Sequence, residues 1–323
     1  MSGQSVLVTG AGGYLGRQVI AGLAGLRDAG VIANVVALDV RPVDAAQRLP
    51  GVVYATSDIR EPGLEALLHE HGISTVVHLA SIVTPGKNSD RGFEYSVDVG
   101  GTQRVLDACL ASAVSHLIVS SSGAAYGYHA DNAPWLRETD PIRGNQVFAY
   151  SWHKRLVEEM LAKARLDHPE LKQTIFRIGT ILGDSVRNQI TDLFEKPRLI
   201  GIAGSDSPFV FIWDQDVVGA ILMAAETGKE GIYNVAGDGA LTLHEIAGRM
   251  GKRVVALPAP VVRSALWVLK KLGLTQYGPE QIDFLRYRPV LDNKCLKNQF
   301  GYTPRMSSSQ VFDFYRNARN KRG

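Results

Sequence analysis

The stretch Val8-Thr9-Gly10-Ala11-Gly12-Gly13-Tyr14-Leu15-Gly16 decides the fold, and it stands between an apolar run and a helical pattern. Gly10 permits a tight turn, Gly13 lets the backbone approach a pyrophosphate, and Gly16 lets the following helix pack close to the strand. Phosphates would lie at the N-terminus of that helix, where free N–H groups and the helix dipole favour anions. We therefore expect a dinucleotide-binding loop that includes Gly10, Gly13, Tyr14, Leu15 and Gly16.

An acidic residue, Asp39, follows the second apolar run in Leu38-Asp39-Val40-Arg41. It stands 29 residues after Gly10, against roughly 20 in the usual fingerprint, and we expect a loop around residues 28–34 to take up the difference. A carboxylate here accepts hydrogen bonds from ribose hydroxyls and repels a 2′-phosphate, which favours NAD over NADP. NADP stays the alternative because Arg41 can pair with a phosphate.

Short apolar runs alternate with helical patterns through the first half of the chain. The predicted strands are residues 6–8, 35–38, 52–54, 75–79, 116–120 and 174–178, and the predicted helices are residues 16–25, 63–71, 91–112 and 149–166. Runs that are apolar at nearly every position suit a parallel sheet covered on both faces. The sequence therefore predicts an α/β fold, a Rossmann-type doubly wound parallel sheet.

The alternation of strands and helices breaks after Ile178. Residues 179–208 are interrupted by glycine and proline, and we expect them to be irregular. A strand–helix pattern returns at residues 209–225, with a further strand at 231–235. We predict a dinucleotide-binding domain made of residues 1–178 and 209–235. A smaller, discontinuous substrate-binding lobe would consist of residues 179–208 and 236–323, with a cleft between the two.

The composition excludes several classes of protein. The chain has 323 residues, of which 45% are apolar and 21% charged, and this composition is that of an ordinary globular protein. A formal net charge of +3 is too small to indicate a nucleic-acid partner. Cys109 and Cys295 are the only cysteines and the histidines lack metal-ligand spacing, so we expect no metal and a reducing compartment. No signal peptide is recognisable, and we expect a cytoplasmic protein.

Residues 261–274 are the most membrane-like part of the chain. They are too few to span a bilayer and include Arg263, Lys270 and Lys271. We expect an amphipathic helix that covers a pocket or a partner, rather than association with a membrane.

A further set of motifs extends the pattern along most of the chain. In chain order they are Thr9-Gly10-x-x-Gly13-x-x-Gly16, Asp58-Ile59, His78-Leu79-Ala80, Gly101-Thr102, Ser120-Ser121-Ser122-Gly123-Ala124-Ala125-Tyr126-Gly127, Tyr150-x-x-x-Lys154 and residues 209–217. With these motifs the chain resembles the extended short-chain dehydrogenase/reductase family from about residue 6 to about residue 304. That family includes sugar-nucleotide epimerases and dehydratases, 3β-hydroxysteroid dehydrogenases and dihydroflavonol-type reductases.

The resemblance implies a cofactor site beyond the glycine loop. Asp58 and Ile59 are implied to flank the adenine, and Ala80 and Ser81 to line the nicotinamide half. One position departs from the family pattern, because Asp98 stands where asparagine is common. An ionised aspartate only accepts hydrogen bonds, so the contacts there must be rearranged or the helix must differ.

The resemblance also implies catalysis by Ser122, Tyr150 and Lys154, and the chemistry of these groups agrees. Tyr150 and Lys154 are four residues apart in a helical stretch, so they share one face. A free tyrosine loses its proton only near pH about 10, and a nearby ammonium stabilises the phenolate. Lys154 can also hydrogen-bond the nicotinamide ribose, and Ser122 can donate a hydrogen bond to the substrate oxygen. A Tyr/Lys pair at this spacing is otherwise common on half-exposed helices.

The reaction is less narrowly defined than the fold. Features that sugar-nucleotide enzymes use to hold a diphosphate are missing from Phe176-Arg177-Ile178-Gly179-Thr180 and from Ser207-Pro208-Phe209, although Arg286 and Arg288 can supply donors from another direction. Apolar and aromatic candidates for the substrate pocket are Ile82-Val83-Thr84-Pro85, Tyr126-Gly127-Tyr128-His129, Phe148, Ile181-Leu182, Phe209 and Trp213. We therefore favour an NAD(P)-dependent oxidoreductase acting on a secondary alcohol or ketone over an epimerase or dehydratase.

Two further expectations concern partners. A cofactor-binding sensor without catalysis is the third class of function, but it would have no need of Ser122, Tyr150 and Lys154. By analogy with the family we expect a homodimer through the helices at residues 93–112 and 149–166. We expect a small-molecule substrate and neither a nucleic acid nor a membrane as partner.

Overall fold

A seven-stranded parallel sheet forms the centre of the computed structural model, which describes residues 3–83, 90–274, 278–279 and 281–321. Its strands are β1 (Gln4–Thr9), β2 (Ile32–Asp39), β3 (Val53–Thr56), β4 (Thr75–His78), β5 (His116–Ser122), β6 (Lys172–Ile178) and β10 (Gly231–Val235). They lie in the order β3-β2-β1-β4-β5-β6-β10, and all neighbours pair in parallel.

Helices cover both faces of this sheet. They are α1 (Tyr14–Asp28), α2 (Leu64–Glu70), α3 (Arg91–Tyr95), α4 (Gly101–Ala111), α5 (Ala149–Asp167) and α7 (Asp214–Thr227). Val6 and Val8 of β1 face the core cluster that contains residues of α1 and α7, whereas Leu7 faces the cluster that contains residues of α2, α4 and α5. Burial on both faces explains the uninterrupted apolar runs. The predicted Rossmann-type fold is confirmed.

The prediction that residues 179–208 are irregular is wrong. They contain β7 (Thr180–Leu182), helix α6 (Gln189–Glu195) and β8 (Arg198–Ile202). β7 pairs with β9 (Phe211–Trp213), and β8 pairs with β11 (Arg253–Leu257). Each strand has only three or five residues and pairs with a later part of the chain, so local periodicity does not reveal it.

The C-terminal part of the chain is mainly helical. Its helices are α8 (Leu243–Arg249), α9 (Ala259–Lys271), α10 (Gln281–Arg286) and α11 (Ser308–Asn320). Phe194 of α6, Ile246 of α8 and Phe312 of α11 share one buried cluster with Phe209 and Phe211. The division into two domains stays a prediction. Within the residues that are described, no helix is long and apolar enough to cross a membrane.

Candidate active site

The glycine loop has the shape that a bound dinucleotide requires. Gly10 has a φ of +68°, and a Cβ there would come within 2.8 Å of the Ala80 backbone nitrogen. A Cβ at Gly16 would collide with the Gly10 carbonyl oxygen. Gly13 is the N-cap of α1 and its N–H donates to the Gly10 oxygen at 3.0 Å. Because the loop is bare of side chains where it meets α1, a pyrophosphate fits at the helix N-terminus.

Asp39 ends β2 beside this loop, as the sequence predicts. Its side chain is buried and accepts hydrogen bonds from the Gly12 N–H at 2.9 Å and the Arg41 N–H at 3.0 Å. The expected long loop at residues 28–34 is wrong, because α1 continues to Asp28 and β2 begins at Ile32. The extra residues lengthen the helix and the strand, so the carboxylate still reaches the loop.

Tyr14 and Leu15 lie in the first turn of α1, and their side chains contact different parts of the fold. The Tyr14 hydroxyl hydrogen-bonds the Asp214 carboxylate at the start of α7. Burial and this contact raise the pKa of Tyr14, so its hydroxyl stays protonated. The Leu15 side chain packs against the core. Any contact of Leu15 with a cofactor therefore falls to its backbone.

Asp58 and Ile59 follow β3 at the same carboxyl edge of the sheet as Asp39. The guanidinium of Arg60 pairs with Asp58, with a shortest nitrogen–oxygen distance of 2.6 Å. This hydrogen bond holds the pKa of Asp58 below its usual value. Ile59 is buried under Gly101, where a Cβ would overlap its side chain. The role of Asp58 and Ile59 in binding the adenine stays a prediction.

Tyr150 is the second residue of α5, and Lys154 lies one turn further along. The Lys154 ammonium nitrogen is 5.6 Å from the centre of the Tyr150 ring. It donates a hydrogen bond to the Ser120 carbonyl oxygen at 2.9 Å, and its side chain is buried. The contact with β5 fixes the ammonium beside the phenol ring.

Ser122 ends β5 at the same edge of the sheet. Its Oγ accepts a hydrogen bond from the Ala124 N–H at 3.2 Å and so caps the 3₁₀ turn Gly123–Tyr126. The Ser151 hydroxyl of α5 donates to the Ala124 carbonyl at 2.6 Å. One backbone turn therefore links Ser122 to the helix that carries Tyr150. The structure brings the three predicted catalytic residues to adjoining elements.

Asp98 occupies the family's asparagine position and has three donors. It lies in the π-helical turn Ser96–Gly100 and accepts from the Ser81 hydroxyl at 3.0 Å, the Ile82 N–H at 2.8 Å and His153 Nδ1 at 3.0 Å. Burial opposes ionisation, but the contact with His153 and the charge of Lys154 hold the pKa of Asp98 below its usual value. An aspartate at this position therefore has acceptors for three donors within the fold.

His78, a marker of the resemblance, is a buried residue of β4. One ring nitrogen lies 2.7 Å from Thr9 Oγ1 and the other 3.0 Å from Thr102 Oγ1. Burial lowers the pKa of His78 to about 3, so the ring is neutral. Both nitrogens are engaged within the fold, which matches the interpretation of His78 as a strand residue.

An aromatic group lies beside Tyr150. Tyr128, Phe148 and Phe284 are in mutual contact, with ring centres 5.1–5.6 Å apart. Tyr128 is buried and close enough to Tyr150 for the two hydroxyls to interact electrostatically, and burial raises its pKa. Tyr128 and Phe148 were predicted for the substrate pocket from the sequence. Phe284, on α10, was missed because its helix lies far along the chain.

Arg288 lies between this aromatic group and an apolar cavity. Its guanidinium carbon is 3.8 Å from the centre of the Phe209 ring and 5.3 Å from that of Phe284. Nη1 donates to the Ser207 hydroxyl at 2.9 Å, whereas the buried Nε has no partner in the described part of the chain. Burial lowers the pKa of Arg288 to about 9, so the group is cationic at neutral pH. Its Nε is thus an unused donor that the protein encloses.

The apolar cavity next to Arg288 has a volume of about 520 Å³. Its walls are mostly apolar and include Leu199, Phe209, Leu257 and Leu285. A cavity of this size and lining accommodates the apolar part of a small molecule. Another cavity, of about 660 Å³, lies beside the glycine loop and is lined by Arg17, Arg41 and Trp213 among others.

Several predicted pocket residues are instead part of the core. Tyr126 is fully buried, and its hydroxyl contacts Asn234 and Arg177. Leu182 is buried in the cluster of the C-terminal part. Thr84 and Pro85 lie outside the described residues. His153 was not predicted from the sequence, where the unusual Asp98 was the one signal at this place.

Comparison with known proteins agrees with this geometry. The model of the NAD dependent epimerase/dehydratase family matches residues 6–236. An uncharacterized protein of Mycobacterium tuberculosis is 26% identical over 317 residues, which are 96% of this chain and 82% of that protein. The decarboxylating sterol-4-alpha-carboxylate 3-dehydrogenase of Saccharomyces cerevisiae is 26% identical, with 94% of each chain covered.

A solved structure shows the same fold. MoeE5 in complex with UDP-glucuronic acid and NAD superposes with a TM-score of 0.73 at 22% identity, covering 99% of this chain and 100% of that one. The family match confirms the predicted NAD cofactor and enzymatic character. The chain therefore belongs to the NAD dependent epimerase/dehydratase family, within the extended short-chain dehydrogenases/reductases.

Proposed function

We propose that this enzyme oxidises a secondary alcohol, or reduces the corresponding ketone, on a substrate with an apolar body. The observation that carries the proposal is the setting of Tyr150. Lys154 lies one helical turn away, and Tyr128, which is close to Tyr150, packs against Phe148 and Phe284. A phenol beside an ammonium, facing an apolar wall, suits proton transfer to or from an alcohol oxygen.

The side chains divide the work as follows. Tyr150 takes the proton of the substrate hydroxyl during oxidation and returns it during reduction. Lys154, held by the Ser120 carbonyl, stabilises the phenolate form and reaches toward the cofactor ribose. Ser122 donates a hydrogen bond to the substrate oxygen as charge changes there. NAD, when bound, supplies the hydride acceptor.

The cofactor would lie along the carboxyl edge of the parallel sheet. Gly10, Gly13 and the N-terminus of α1 would hold the pyrophosphate, and Asp39 the adenosine ribose. Asp58 and Ile59 would flank the adenine. Ala80 and Ser81, which follow β4, would border the nicotinamide half through their backbone, because the Ser81 hydroxyl is directed to Asp98.

Arg288 supports an anionic group on the substrate. It is cationic, partly enclosed by Phe209 and Phe284, and its Nε has no partner among the described residues. The name of the yeast relative gives a sterol carboxylate as its substrate, which combines an apolar body with an anion. The apolar cavity next to Arg288 fits the same combination.

A second candidate function is epimerisation or dehydration of a nucleotide sugar. The same unused donor of Arg288 favours it, because a diphosphate binds well to a guanidinium. MoeE5 was solved with UDP-glucuronic acid. The mostly apolar lining of the cavity argues for the first candidate.

Substrate turnover separates the two candidates. The enzyme is incubated with NAD and, in turn, with apolar secondary alcohols with and without a carboxylate and with UDP-sugars. The proposal predicts NADH formed in proportion to ketone product, fastest with the carboxylated alcohol. Conversion of a UDP-sugar without net NADH would establish the second candidate instead. Arg288→Gln should raise the KM of the carboxylated alcohol but leave that of the uncharged alcohol nearly unchanged.

A further inference from the structure

Helix α9 exposes an apolar face to solvent. Val261, Val268, Leu269 and Leu272 are 55, 45, 39 and 65% exposed, and Ala265 is exposed as well. Spacings of three and four residues place these side chains on one side of an α-helix. We refer to Val261, Ala265, Val268, Leu269 and Leu272 as the α9 face.

The side of the helix next to this face is packed, so α9 has a fixed orientation. Val262 and Leu266 contact a small core that includes Ile282 and Leu285 of α10 and Leu257 of β11. A surface helix with one buried side normally carries polar residues on the other. The α9 face therefore requires an explanation other than the packing of this chain.

The charges around the α9 face are all of one sign along the helix. Residues 259–274 include Arg263, Lys270 and Lys271 and no acidic residue. Trp267 is 54% exposed, and the Lys271 ammonium lies 4.8 Å from the centre of its ring. An apolar stripe bordered by tryptophan and basic side chains is typical of helices that lie in the headgroup region of a bilayer.

We propose that the α9 face docks on the surface of an anionic lipid bilayer. The apolar side chains would enter the boundary between headgroups and acyl chains, with Lys271, one turn after Val268, on a lipid phosphate. A second copy of the chain is a poorer occupant, because pairing two α9 faces would bring basic side chains together without acidic partners from either helix. The sequence favoured a helix that covers a pocket or a partner, and the proposal takes the alternative of membrane association because the α9 face is exposed in this chain.

The helix that would dock is connected to the candidate active site through α10. α9 packs on α10, and α10 carries Phe284, which contacts Tyr128 and Phe148. The proposal itself concerns binding and does not depend on which substrate the enzyme uses.

Co-sedimentation with vesicles tests the proposal. The full chain is mixed with vesicles of phosphatidylcholine alone or with added phosphatidylglycerol. We expect sedimentation with the anionic vesicles, weakened by salt and nearly absent with phosphatidylcholine alone. Val268→Glu should weaken binding on the order of tenfold or more, because it removes an apolar contact and adds repulsion. Leu166→Glu replaces an 83% exposed leucine on α5 and should bind as wild type.

Light scattering and fluorescence complete the test. Val268→Glu should keep the wild-type mass, and the anionic vesicles should shift the emission of Trp267 to the blue, a shift that Trp267→Tyr removes. The proposal would be overturned if the wild-type protein did not sediment with anionic vesicles. It would also be overturned if the Val268→Glu variant bound them as tightly as the wild type. A mass halved by Val268→Glu would also overturn it, because the α9 face would then be a contact between copies.

Discussion

His153 Nδ1 lies 3.0 Å from the Asp98 carboxylate, and both side chains are buried. The other carboxylate oxygen accepts from Ser81 and from the Ile82 backbone. His153 directly precedes Lys154 on α5, whereas Ser81 and Ile82 follow β4. One carboxylate thus joins two walls of the candidate site, the catalytic helix and the strand end beside the cofactor.

We predict that Asp98→Asn weakens both the fold and cofactor binding. The amide oxygen can still accept from Ser81 and Ile82, but the NH₂ group then faces His153 Nδ1. A ring that keeps its proton on Nδ1 leaves a buried donor without an acceptor, which costs about 1–3 kcal/mol in the free energy of unfolding. Denaturant unfolding and the KM for NAD measure the two effects. Asp107→Asn, at an exposed site on α4, is the matched control. Equal stability and equal KM in the two variants would refute the role of Asp98.

The buried pair of Glu158 and Arg177 gives a prediction on stability alone. The guanidinium binds the carboxylate through Nε and Nη2, at 2.9 and 2.7 Å, and Ser121 donates to the same group. Glu158→Gln leaves the arginine charge uncompensated, which costs about 3–5 kcal/mol. Glu159→Gln is the control, since its pair with Arg155 is partly exposed and contributes about 0.5 kcal/mol or less. Equal losses in the free energy of chemical unfolding for the two variants would contradict this prediction.

Sequence patterns predicted the sheet because burial on two faces leaves a local signal. Val6, Leu7 and Val8 are all apolar, and the structure directs them to opposite sides of β1. β7 and β8 left no such signal, because they are short and their partners lie later in the chain. Hydrophobic periodicity describes neighbours in sequence and carries no information on pairing at a distance.

The same limit applies to the candidate site. Gly10, Ser122, Tyr150 and Lys154 belong to compact motifs, and the sequence predicted them together. The contact between Asp98 and His153 joins residues 55 positions apart, so only the unusual aspartate hinted at it. Phe284 reaches the pocket from α10 through tertiary packing, which no local pattern records.

Stability should fall on acidification because two histidines are buried. Burial lowers the pKa of His78 to about 3 and that of His116 to about 4. The unfolded chain binds a proton at each near pH about 6.5, which the folded chain does not, so stability is full above that pH and is lost as the pH falls toward 4. Each contributes a slope of up to about 1.4 kcal/mol per pH unit.

Unfolding by denaturant between about pH 7 and about pH 5 measures this slope. His116→Gln should reduce it, whereas His69→Gln, at an exposed histidine, should leave it as in the wild type. A slope that His116→Gln does not change would show that the buried ring is not responsible.

Asp39 should control the choice between cofactors. Asp39→Ala removes the ribose acceptor and the repulsion of a 2′-phosphate, so affinity for NAD should fall and the preference over NADP should narrow. Arg41→Ala serves as the comparison. If the Arg41 guanidinium pairs with the 2′-phosphate, its loss should weaken the binding of NADP alone. Binding titrations with both cofactors measure the ratio of the affinities for NAD and NADP. An unchanged ratio in Asp39→Ala would assign the selectivity to another residue.

Turnover of Tyr150→Phe tests the central claim most directly. The change removes the phenol oxygen and keeps the ring, so NAD affinity and the melting temperature should stay near those of the wild type. General acid–base groups contribute on the order of 10²–10⁴ in rate, and we expect kcat on the best substrate of the turnover assay to fall by about that factor. A folded Tyr150→Phe enzyme that binds NAD and keeps full kcat would contradict the proposed mechanism.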